Sequence, residues 1–252
     1  MATLGYPLPM GATRLWLMRH GESVANLAMA AAEIAGQDTF TVGTRDADVS
    51  LTITGRQQAR ALGRWLAQQC ADGDSSTVWS SPYLRSEQTA SIAVENSALS
   101  LPLRLDERLR DREPGALGLL TERGIETRYP AEAERRRREG PFRYRPPGGE
   151  SWADVARRVQ SFLHDAEVAA LEGTLLVVAH DTVVMLFVSL CLGLEEQQLA
   201  DFARVHTVIN ASVTWLDRAP GSETWHLRYF SSTKHLSRFD AAGTAPPRAG
   251  DG

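Results

Sequence analysis

Lysine is almost absent from this 252-residue chain: Lys234 is the only one among 27 basic residues. Positive charge is therefore carried by arginine, whose planar guanidinium suits bidentate recognition of phosphate or carboxylate, although a composition bias toward arginine gives the same excess. Cysteine is scarce too. Cys70 and Cys191 stand far apart without metal-ligand spacing, so buried reduced thiols are expected in place of a disulfide or a catalytic thiol. Apolar runs such as "LLVVA" at 175–179 fall far short of the ~20 residues that span a bilayer. The start, "MATLGYPLPMGATR", lacks the basic stretch and apolar core of a secretory signal, which points to a cytoplasmic protein with no membrane partner. A net charge of −4 offers nothing to attract nucleic acid. No His/Asp/Glu cluster shows ligand spacing, so neither a metal nor another cofactor is expected.

What is present alternates between strand and helix. "RLWLMR" (14–19), "STVWSS" (76–81), "LPLRL" (101–105) and "TLLVVAH" (174–180) read as strands, with two more at "ASVTWLD" (211–217) and "TWHLRYF" (224–230). Helical spacing runs through 51–70, where Ala59, Leu62, Leu66 and Cys70 share a face, and through 83–94, 151–171 and 182–191. This alternation predicts a three-layer αβα sandwich around a mainly parallel sheet. Between Pro114 and Pro147 the pattern gives way to charge, including Arg135 to Arg138 beside Glu134 and Glu139. That segment reads as a helical or irregular cap inserted over one end of the sheet, its arginine run as a solvated face. One domain is expected over 1–240, with a flexible Ala/Gly/Pro-rich tail at 241–252.

Chemistry gathers where strands end. In open α/β sheets ligands bind at the carboxyl ends of the strands. The first strand ends in Arg19-His20-Gly21, the second runs into "SSPYLRSEQTA" with Arg85, and "TLLVVAH" ends in His180-Asp181. A strand that stops at Arg-His-Gly and opens onto a helix brings a cation, an imidazole and free backbone N–H groups to one point, a place to hold an anion and attack it. In "PPGGESW", Ser151 is placed to cap the helix starting at Trp152, with Asp154 completing a capping box.

"LMRHGES" with Asn26, "SSPYLRSEQTA", "PPGGESW" and "LLVVAH" together resemble the histidine phosphatase (phosphoglycerate mutase-like) superfamily, in its chain order and over most of 14–215. The resemblance implies that His20 is the nucleophile that takes up a phosphoryl group. It implies that Arg19, Arg85 and His180 hold the phosphate, His180 best when protonated, and that Asn26 makes a further contact. Ser23 lines the same pocket. Two positions depart from the family pattern. Asp181 stands where glycine is common, and either keeps His180 protonated or serves the local turn. In "RLRDREPGAL", Asp111 occupies the place of the family's acidic glutamate, four residues before Gly115, with Glu107 and Glu113 as rivals for the role of general acid. The implied activity is a phosphatase acting on phosphorylated small molecules. A cofactor-dependent phosphoglycerate mutase is the alternative within the family, and an inactive phosphate-binding scaffold the alternative outside enzymology. The cap is the expected selector of substrate; the sequence does not speak to oligomeric state.

Overall fold

The computed structural model describes residues 11–70, 76–169, 173–239 and 241–244. Six strands form one sheet in the order β3-β2-β4-β1-β5-β6, namely β1 (Ala12–Arg19), β2 (Val78–Ser80), β3 (Leu103–Leu105), β4 (Gly173–Ala179), β5 (Val213–Asp217) and β6 (His226–Ser232). The pairings β1–β4, β4–β2 and β2–β3 are parallel, while β5 runs antiparallel to both β1 and β6. The central strands are buried on both faces, and their side chains divide with a period of two. Leu15, Leu17, Leu175 and Val177 face one layer, with Phe162 and Phe187; Trp16, Met18, Leu176 and Val178 face the other, with Leu62, Leu66 and Ala90.

Helices α1 (Val24–Ile34), α2 (Ile53–Gln69), α3 (Leu84–Ser97), α4 (Glu122–Arg128), α5 (Pro130–Arg143), α6 (Trp152–Ala169), α7 (Asp181–Leu192), α8 (Glu196–Val205) and α9 (Lys234–Arg238) complete the described fold. The first layer holds α6 and α7, the second α2 and α3. Cys191 packs in the first and Cys70 in the second, so the sheet stands between them. Ser151 caps α6 as its sequence implies, its Oγ accepting from the Asp154 N–H at 3.2 Å while Asp154 accepts the Ser151 N–H at 2.8 Å. No helix among the described residues is long and apolar enough to cross a membrane.

The segment 114–147 is largely helical, containing α4 and α5. Its arginines answer its glutamates: Arg135 meets Glu132, Arg136 meets Glu122, Arg137 meets Glu126 and Glu134, and Arg138 meets Glu139. At the other end of the chain, the flexible tail expected from 241 does not begin there. Gln58 donates to the Ala242 carbonyl at 2.7 Å, the Asn210 N–H donates to the Thr244 carbonyl at 3.0 Å, and Ala241 is buried beside Ala61 and Leu236. The Gln58 side-chain amide and the Asn210 backbone N–H tie this stretch down, which composition does not reveal. Residues 1–10 and 245–252, with the sequence readings that fall on them, lie outside the described residues.

Candidate active site

The strands β2, β4 and β1 are neighbours, so their carboxyl ends open onto one spot. His20 follows β1, its N–H bonded to the Ala179 carbonyl at 2.9 Å, and Asn210 Nδ2 holds the His20 carbonyl at 3.1 Å. The turn after it can form only if α2 comes close. A Cβ on Gly21 would lie 2.6 Å from the Gly55 carbonyl oxygen, and one on Gly55 only 2.0 Å from that of Glu22. Both glycines are needed for backbone to meet backbone here.

The His20 ring is buried, with Nδ1 2.7 Å from the Gly21 carbonyl oxygen. A carbonyl only accepts, so the contact assigns the proton to Nδ1 and leaves the lone pair on Nε2. Burial, then the neighbouring His180, Arg85 and Arg19, push the His20 pKa well below its ordinary value. At neutral pH the ring is uncharged, with its tautomer fixed and the Nε2 lone pair free of a proton.

Around it stand the other sequence-picked groups. Arg19 is buried and donates Nη1 to the Val208 carbonyl at 2.7 Å. Arg85, at the start of α3, donates Nη1 and Nη2 to the Asp46 carboxylate at 3.1 Å each, and Nη2 to Asp111 Oδ2 at 2.9 Å. His180 caps β4, its ring centroid 5.1 Å from that of His20. Its Nε2 lies 2.9 Å from Ser81 Oγ, while Nδ1 stands 3.3 Å from Asp111 Oδ2 without an aligned hydrogen bond. Burial lowers the His180 pKa and Asp111 only partly offsets this, so the ring is neutral near pH 7; of the two roles open to Asp181, keeping His180 protonated is not the one its surroundings favour. Asp111 lies within the site. Burial raises its carboxyl, but His180 and Arg85 outweigh burial and hold it well below the usual carboxylate range. As it stands Asp111 is an ionised partner of Arg85, not a loaded acid.

Three picked residues have structural work as well. Ser23 is the N-cap of α1, and Asn26 Oδ1 accepts from the Ser23 N–H at 3.1 Å and from Asn210 Nδ2 at 3.1 Å. With its oxygen so held, the Asn26 amide nitrogen is turned the opposite way. Asp181 Oδ1 accepts the Thr182 N–H at 2.6 Å, which is the turn role, while Oδ2 lies 3.9 Å from Arg19. The carboxylate of Asp181 thus serves the helix start and faces Arg19 more than His180. Of the rival acids, Glu113 accepts the Gly115 N–H at 3.1 Å and Glu107 is exposed in a 3-10 turn; Asp111 alone of the three bonds Arg85. Glu150 binds Arg110 at 2.7 Å and Arg158 at 3.1 Å, a brace beneath the 107–113 turn.

Sequence reasoning missed Asp46, Ser81, Tyr83 and Asn210. Tyr83 lies under the Arg85 guanidinium, its centroid 5.0 Å away, and 5.4 Å from the His180 ring. Burial raises its phenol to about 12, so it is a neutral donor. Ser81 and Tyr83 sit inside the quoted "SSPYLR" motif, a signal that was present. Asp46 opens a short 3-10 turn, 46–48, and Asn210 lies between α8 and β5, neither with a sequence signal to mark it.

A family profile described as "Histidine phosphatase superfamily (branch 1)" matches residues 15–231. The chain is 33% identical over 190 residues to a 2,3-bisphosphoglycerate-dependent phosphoglycerate mutase of Methylobacterium radiotolerans, covering 74% of this chain and 82% of that protein. It is 28% identical over 196 residues to a 6-phosphofructo-2-kinase/fructose-2,6-bisphosphatase of Gallus gallus, and it spans about a third of the length of that relative, 36%. Among solved structures, a mycobacterial glucosyl-3-phosphoglycerate phosphatase bound to VO3 superposes with a TM-score of 0.65 at 26% identity, covering 88% of this chain and all of that one.

Proposed function

Because the chain belongs to the histidine phosphatase superfamily, we propose that it is a phosphatase of phosphorylated small molecules, working through phosphohistidine on His20. The observation that carries this reading is the His20 ring, neutral and with Nε2 unprotonated, among Arg19, Arg85 and His180. In the proposed reaction Nε2 attacks phosphorus, the ester P–O bond breaks, and the leaving oxygen takes a proton from Asp111. Water then attacks the phosphohistidine and releases phosphate. The arginine forks bind the phosphoryl oxygens and offset the charge that repels the attacking ring. Asp111 enters charged, so it must first gain a proton. A phosphate dianion that draws Arg85 onto itself removes the cation holding the carboxyl down and adds negative charge beside it, and both raise the Asp111 pKa.

A mutase is the competing reading, favoured by the Methylobacterium relative. Against it, the arginines of the run in α5 are all engaged by glutamates, leaving no free cation there for a second anionic group. The test is direct. Purified protein should hydrolyse p-nitrophenyl phosphate, His20→Ala should abolish turnover with the fold intact, and base-stable, acid-labile phosphate should map to His20. Phosphate trapped on another residue, or isomerisation of 3-phosphoglycerate outpacing its hydrolysis, overturns the proposal.

A further inference from the structure

Beside the phosphate site lies a cavity of about 570 Å³, walled by the end of α5, the start of α6, and α7 and α8. That size accommodates an organic group of the bulk of a small drug. It adjoins the catalytic groups through two residues that line it: Val208, whose carbonyl holds Arg19 at 2.7 Å, and Asp181, 3.9 Å from the same guanidinium. Resting on the phosphatase reading, we infer that this cavity is the leaving-group subsite, and that it takes an uncharged, largely apolar alcohol.

The walls argue for that chemistry. Met185 and Val208 are buried beneath it, and the Trp152 ring and Pro141 flank it. Pro141 reaches this place because α5 kinks at Gly140, whose φ of 72° breaks the helix immediately before the proline. Charge among the lining residues is acidic on balance. Asp181 and Asp201 contribute two carboxylates, and the single lining arginine, Arg204, is bonded to Asp201 at 3.4 Å. A second phosphate or a carboxylate placed there would meet like charge without a spare cation. An alkyl or aryl-alkyl group would instead be removed from water against the Trp152, Met185 and Val208 side chains.

The experiment compares esters whose alcohols leave equally poorly, so that chemistry is matched and binding is read: 2-phenylethyl phosphate, glycerol 3-phosphate and 3-phosphoglycerate. The full chain should favour 2-phenylethyl phosphate in kcat/KM by about tenfold or more, the scale of discrimination an apolar pocket gives. Ala203→Trp, which fills the cavity, should raise KM for that ester several-fold more than for glycerol 3-phosphate, whose small polar alcohol gains less from the apolar walls. Asp201→Arg, at an exposed position, keeps the question open to test if the tryptophan variant does not fold; it should lower KM for 3-phosphoglycerate alone. Hydrolysis of all three esters without preference, or a preference that neither variant moves, overturns the subsite while the phosphatase reading stands. Hydrolysis of none overturns both.

Discussion

Asp111 is the residue whose charge has to change during the proposed cycle. His180 and the ion pair with Arg85 at 2.9 Å hold its carboxyl well below the usual range and keep it deprotonated. Phosphate or vanadate binding should therefore take up a proton, measurable by calorimetry in buffers of different ionisation enthalpy. Asp111→Asn should lose that uptake; equal uptake in both proteins would exclude Asp111 as the group. The same substitution should slow alkyl phosphates by roughly 10²–10⁴-fold, the usual worth of a positioned acid, and p-nitrophenyl phosphate far less. If both substrates slow alike, or Glu113→Gln shows the leaving-group dependence, the acid is misassigned. The site was legible where residues sit in the contiguous motifs that end β1, β2 and β4. What could not be read were the partners that set charge. Asp46 is brought to Arg85 by a loop without periodicity, and the ionised state of Asp111 depends on burial and on neighbours distant in sequence.

Among the elements, α2 controls how the Arg19-His20-Gly21 turn is seated. Gly55→Ala would drive a methyl to 2.0 Å from the Glu22 carbonyl oxygen and push the helix from the Arg-His-Gly turn. Overpacking of this kind costs about 1–3 kcal/mol or more. The variant should melt earlier and lose kcat/KM, whereas Gln57→Ala on the exposed side should change neither; unaffected kinetics in Gly55→Ala would mean the turn does not depend on α2. The cap arginines predict the opposite. Arg137 bonds glutamates at a half-exposed surface, where such pairs contribute about 0–1 kcal/mol, so Arg137→Ala should leave every substrate's kinetics near wild type. Strong periodic elements were legible: β4 with its two-faced apolar run, α2 and α6 with their stripes. α8 was not, because its apolar stripe of Leu199, Phe202 and Ala203 lies within only 10 residues, too short a window for the period to stand out, and α4 and α5 were masked by charge.

At the scale of the molecule, buried histidines tie stability to pH. His235 is buried and its pKa is pushed down to about 4 by burial. The unfolded chain binds this proton below about 6.5, the folded chain only near 4, so the unfolded state gains protons first as pH falls. His20 and His180 are lowered in the same direction. Stability should be full above pH 6.5 and decline toward pH 4, with His235 responsible for about 3 kcal/mol at most. Urea midpoints between pH 7.5 and 5 should show this slope, and His235→Phe should flatten it; an unchanged slope would mean His235 is charged in the fold. The sheet order has a consequence in time as well as in space. β1 is made first, yet its partners are β4 and β5, and the His20 and Arg19 amides bond to Ala179 and Ser212. On a ribosome the strand that leads into His20 waits, with both edges unsatisfied, until more than 150 further residues have emerged, a closure whose entropy cost slows such pairings. No nascent fragment ending before β4 can hold this site, so the Arg19-His20 turn is assembled only after β4 has emerged.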